Sequence, residues 1–205
     1  MRYVELRQQF KDFTLFSLGD IRILDKDFSR ARLNEWQDKG YIKKLIRGYY
    51  FLSDLETNEN VLFQIANRLY SPSYVSLQTA LSYFGLIPET VYGITSVSTR
   101  KTSRFGTPLG EFIYRTITPR MFFGYDLVKW HHKCFRMATV EKAIVDYFYL
   151  TPALREKNDF AALRINRDIF FERVTQENLY SFLDRFGQKT LTKRIHAFWE
   201  HMEHD

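Results

Sequence analysis

Arg30, Asn34 and Gln37 follow one another at intervals of four and three residues, the spacing that brings side chains to one side of an α-helix. Their types suit one chemistry. An arginine donates two bonds to guanine, and the amides of Asn and Gln make paired contacts with adenine. Arg32 sits beside that face and is better placed for phosphate than for bases. Ser29 stands where an N-cap is expected, which leaves first-turn amides free to meet a phosphate. Beyond Gly40, Lys43 and Lys44 begin a predicted hairpin whose tip is Arg47-Gly48. An arginine at such a tip enters a minor groove or pairs with phosphate. These eight residues, Ser29, Arg30, Arg32, Asn34, Gln37, Lys43, Lys44 and Arg47, form the candidate DNA-binding set.

Other groups carry weaker chemistry. Arg100, Lys101 and Arg104 cluster in "RKTSRFGTPLG", which lacks the glycine and lysine spacing of a phosphate loop. Its plain reading is a basic hairpin tip; the sharper one is a patch for a partner protein or nucleic acid. In "ATVEKAIVD", Thr139 is expected to cap a helix, Glu141 to favour its dipole, and Lys142 to pair with Asp146 one turn on. A nuclease-like carboxylate–lysine site is disfavoured there, because neighbours on a helix point in different directions. His131, His132, His196, His201 and His204 lack thiolate support, and Cys134, the single cysteine, is expected on a buried strand. No catalytic residue, cofactor or metal is expected.

The elements that must position these groups follow from the periodicity. Helices are expected over 2–13 and in "SLGDIRILDKD", then a turn, a helix over 29–39, and strands Ile42–Ile46 and Tyr49–Leu52. Helix, helix, turn, helix, hairpin is the order of a winged helix-turn-helix, here residues 1–53. Polar "DLETNEN" marks a boundary, and a second unit is expected over 59–205. In it, helices are predicted at 59–70, 76–84 and 139–150, and strands at 91–99, 111–117 and 121–128. The first two of these strands are expected to form a hairpin around "RKTSRFGTPLG", and "SPSY" is read as a break. The tail, 151–205, reads as mostly helical. The class is thus α/β (α+β). Net charge is +6, and residues 26–52 hold seven basic against three acidic groups, whereas 151–205 are balanced at nine each. The basic excess permits nucleic-acid binding. With a charged N-terminus and no long apolar window, a cytoplasmic protein without a membrane partner is expected.

Three stretches carry a family resemblance: "LNEWQDKGYIKKLIRGYYFL" (33–52), "YVSLQTALSYFGLIPETVYGITSVSTRKTSRFGTPLGEFIYRTI" (74–117) and "FRMATVEKAIVDYFYL" (135–150). They resemble AbiEi-like antitoxins of type IV toxin–antitoxin (abortive-infection) systems over about residues 14–150. Val140 stands where that family often has proline. The resemblance implies a winged helix that binds operator DNA and represses its own operon. It implies a C-terminal domain that counteracts a nucleotidyltransferase-like toxin. A DNA-binding unit this small neutralises few phosphates, which suggests either a homodimer on DNA or paired binding to an inverted repeat of the operator. Two other readings stand beside it: an orphan transcriptional regulator whose C-terminal domain senses a ligand or dimerises, and a nucleic-acid-processing enzyme.

Overall fold

Apolar residues three and four apart supply the first elements. In the computed structural model, which describes residues 1–88 and 92–204, helix α1 (Tyr3–Phe10) buries Leu6 and Phe10. A two-residue strand β1 (Phe16–Ser17) leads into α2 (Leu18–Leu24), whose Ser17 cap accepts the Asp20 amide at 3.2 Å. Helix α3 (Ala31–Asp38) turns Leu33 and Trp36 inward. It ends before Gly40, whose φ of +70° suits a residue without a Cβ. Strands β2 (Ile42–Ile46) and β3 (Tyr49–Leu52) then pair antiparallel, and β3 also pairs with β1. Phe10, Phe16, Phe28, Trp36 and Tyr50 fill the small core between helices and sheet. Each such ring contributes about 1.5–3 kcal/mol through burial.

Ile42 and Leu45 are three residues apart in a strand and so face opposite sides. Ile42 belongs to the small core, whereas Leu45 and Phe51 join the larger cluster of the second unit. That unit begins with α4 (Glu59–Leu69), capped by Asn58 accepting the Val61 amide at 3.0 Å. Strand β4 (Ser73–Val75), α5 (Leu77–Tyr83), β5 (Ile94–Ser98), β6 (Ser103–Thr107) and β7 (Gly110–Thr116) follow. A 3-10 turn (Pro119–Met121), β8 (Tyr125–Trp130), β9 (Lys133–Ala138) and α6 (Val140–Leu150) complete its centre. The tail is α7 (Lys157–Ala162), α8 (Arg167–Arg173), α9 (Gln176–Phe186) and α10 (Lys189–His204). The fold is mixed α/β, with ten α-helices and two sheets among the described residues, and none of those helices is long and apolar enough to cross a membrane.

The six strands of the larger sheet lie in the order β6-β7-β5-β4-β9-β8. Several expectations are corrected here. β5 and β7 run parallel, so the predicted hairpin between them does not exist; β6 lies within the crossover and pairs with β7 instead. Val91, the first residue of the predicted 91–99 strand, lies outside the described residues. The predicted strand 121–128 is a 3-10 turn and a linker up to Gly124, whose φ is +71°. The break predicted at "SPSY" contains β4, which pairs with β5 and β9. Cys134 is on a strand, but exposed rather than buried.

Candidate nucleic-acid interface

The burial of Leu33 and Trp36 fixes the opposite side of α3 as solvent-facing. Arg30 and Asn34 are exposed on it, and neither side chain has a partner among the described residues. Gln37 differs. It is half-buried, and its Nε2 donates to the Leu33 carbonyl at 3.0 Å, so one amide donor is already spent on its own helix. Glu35 and Lys39 pair at 2.7 Å one turn apart. Their hydrogen bond holds the glutamate below and the lysine above its ordinary pKa.

The N-cap expected at Ser29 is not found there. The cap position falls on Arg30 in αR conformation, because Ser29 and Arg30 already form a turn onto Arg32 and Leu33. Ser29 Oγ still accepts the Ala31 amide at 3.3 Å. Arg32 is exposed, but its Nη1 donates to the Met1 carbonyl, which ties it to the chain start. Lys43, Lys44 and Arg47 are exposed and unpaired among the described residues. The two lysines precede a register shift between Lys44 and Ile46, and Arg47 precedes Gly48, whose φ of +92° makes the tight turn. Strand β2 packs against α3, and Leu33, Trp36 and Ile42 belong to one core, so helix and hairpin are held together.

Arg100, Lys101 and Arg104 are not at a hairpin tip. Arg100 and Lys101 lie in the bend before β6, and Arg104 on it. The Arg100 guanidinium is 4.1 Å from the Tyr70 ring centre and donates to the Ser71 carbonyl. Arg104 is paired with Glu111 across β6 and β7. Lys101 alone of the three has an unengaged side chain among the described residues.

The Glu141, Lys142 and Asp146 motif is inside the protein. Their exposures are 6%, 0% and 0%. Lys142 Nζ pairs with Asp146 and donates to the Tyr74 hydroxyl at 2.7 Å; Tyr74 and Ser76 donate to the aspartate at 2.8 and 2.9 Å. Tyr74, Phe123 and Phe186 surround the ammonium. Burial pushes Lys142 below and Asp146 above their ordinary values, and the pairing opposes both shifts. Glu141 Oε1 accepts the Thr175 amide at 3.3 Å just ahead of α9. Thr139 Oγ1 accepts the Lys142 amide, the cap expected from sequence. All three side chains are closed off from solvent.

His131 and His132 are exposed, and His132 faces Asp12 at 3.6 Å. His196 meets the Tyr180 hydroxyl at 3.0 Å. Among the described residues no group of three or more His, Cys, Asp and Glu is arranged to hold a metal. Three cations that no local pattern groups, Arg68, Lys133 and Arg136, meet in a cleft beside α4. Arg68 comes from α4 and the other two from β9, so the spacing of the sequence does not show that α4 meets that strand.

No family model matches the chain, and no curated protein matches it.

Proposed function

We propose that residues 1–53 are a winged helix-turn-helix that binds operator DNA, and that the protein is an antitoxin of a type IV toxin–antitoxin system repressing its own operon. The observation that carries the DNA-binding part is the set of exposed, unpaired side chains of Arg30 and Asn34 on α3 and of Lys43, Lys44 and Arg47 on the adjoining hairpin. In this reading α3 lies in the major groove with Arg30 and Asn34 at base edges. Gln37 contributes there only through its carboxamide oxygen or by giving up its bond to Leu33. Lys43, Lys44 and Arg47 hold phosphates, and Ser29 and Arg32 flank them. Few phosphates are neutralised by one such unit, which favours two copies on an inverted repeat.

The antitoxin part rests on the resemblance of residues 74–150 to AbiEi-like proteins. The partner in that reading is a nucleotidyltransferase-like toxin, and the cellular setting is the cytoplasm. The test has two halves. Wild-type protein is offered the DNA upstream of its own gene at low salt; absence of binding overturns the operator assignment. The product of the adjacent gene is then expressed with and without this chain; growth arrest that the chain does not relieve overturns the antitoxin assignment.

A further inference from the structure

Residues that stand opposite each other in an antiparallel pair share a face of the sheet. In the N-terminal hairpin Ile42 is opposite Leu52, and Lys44 is opposite Tyr50. Ile42, Tyr50 and Leu52 all belong to the small core. Strict alternation would turn Ile46 to that same side. The register shift between Lys44 and Ile46 prevents this: Leu45 is an extra residue in β2, and Ile46 comes to stand opposite Tyr49. Leu45 is 4% exposed and is buried, with Phe51, in the cluster of the second unit. Ile46 and Tyr49 pack against the same cluster.

The bulge therefore gives the hairpin a second apolar face, and the second unit covers it. A wing that had only its own core to close would need apolar residues on one face. β2 and β6 are each an edge strand of their own sheet, and they lie against each other. Phe105 of β6 packs against the same cluster as Ile46 and Tyr49. Between those two anchors lie Arg47 and Gly48, both exposed. The Arg47 side chain has no partner among the described residues. Its backbone is thus held on both sides of the turn, while its guanidinium stays available. A wing held in this way loses less conformational freedom on meeting DNA than a hairpin that moves by itself.

We infer that the second unit aims the wing. Leu45 and Ile46 are positioning residues that hold Arg47 for its contact with DNA, so residues 59–205 set part of the DNA affinity of residues 1–53. This inference rests on the DNA-binding reading.

Leu45→Ala, Arg47→Ala and L45A/R47A are titrated as full chains onto the duplex from upstream of the gene and onto a shuffled duplex, well below each variant's thermal midpoint. Leu45→Ala is expected to weaken binding to both duplexes by roughly two- to tenfold, with the ratio between them unchanged. With Arg47 already removed, Leu45→Ala is expected to add no further loss. Leu45→Met, which fills a similar volume, is expected to bind as wild type does. If Leu45→Ala does not fold, Ile46→Ala takes its place in the cycle, since Ile46 is only half-buried. Unchanged binding by Leu45→Ala, or an equal loss with and without Arg47, overturns the inference and leaves the DNA-binding reading standing. Wild type that binds neither duplex overturns that reading, and the inference with it.

Discussion

Arg68 Nη2 lies 2.8 Å from Asp20 Oδ2, and the same oxygen accepts the Ser17 amide at 2.7 Å and the Ser17 hydroxyl at 2.8 Å. One carboxylate thereby closes the cap of α2 and fastens that helix to α4. Burial resists ionisation of Asp20, but the Ser17 hydrogen bonds and the charge of Arg68 outweigh it and hold the carboxyl below its ordinary 3.8. A carboxyl depressed in the folded state contributes stability that is complete above 3.8 and is lost as pH falls through the folded value. Asp20→Asn is therefore expected to cost about 1 kcal/mol near neutral pH. Its deficit against wild type is expected to shrink below pH 3.8. Urea unfolding of both proteins along an acid series measures this, and a deficit that grows with acid contradicts it.

The buried pair makes a second prediction. Removing one partner, as in Lys142→Met or Asp146→Asn, strands the other in the core and is expected to cost about 3–5 kcal/mol. The double variant K142M/D146L removes both charges, and its loss is expected to fall well below the sum of the single losses. Denaturant unfolding of the three variants reads the non-additivity. Additive losses would show that the two groups do not act as a pair.

Gly124 bears on the same pair. Its φ is +71°, and a Cβ there would stand 3.0 Å from Lys142 Cγ. Gly124→Ala is expected to destabilise by roughly 1–2 kcal/mol through backbone strain alone. A thermal midpoint equal to that of wild type would show that the turn relaxes freely.

On DNA, two classes of variant are expected to separate. Lys43→Ala, Lys44→Ala and Arg47→Ala should weaken binding to every sequence and lower the salt slope by about one each. Gln37→Ala should have a smaller effect on base preference than Asn34→Ala, because the Gln37 amide already donates to Leu33 at 3.0 Å. Salt titrations on operator and shuffled duplexes distinguish the classes.

The N-terminal hairpin was legible to the residue: Ile42–Ile46 and Tyr49–Leu52 are the observed strands, because Arg47-Gly48 makes its turn from local residues. The exposure of Arg30 and Asn34 followed from the inward period of Leu33 and Trp36. The engagements of Gln37 with Leu33 and of Arg32 with Met1 did not follow, since exposure and period say nothing about which acceptor a long side chain finds. In the second unit, helix Val140–Leu150 was legible from its apolar period. The burial of Lys142 was not, because the rings around it come from Tyr74, Phe123 and Phe186, far away in the chain. The parallel pairing of β5 with β7 likewise depends on a crossover that local alternation does not encode.

The most direct measurement is fluorescence anisotropy of the wild-type protein and Asn34→Ala on a duplex from upstream of its own gene and on a shuffled duplex, at one fixed salt concentration. Wild type should prefer the upstream duplex by about a thousandfold or more. Asn34→Ala should lose about 1–3 kcal/mol of that preference while binding the shuffled duplex as wild type does. Equal affinity of wild type for the two duplexes would contradict sequence reading by α3.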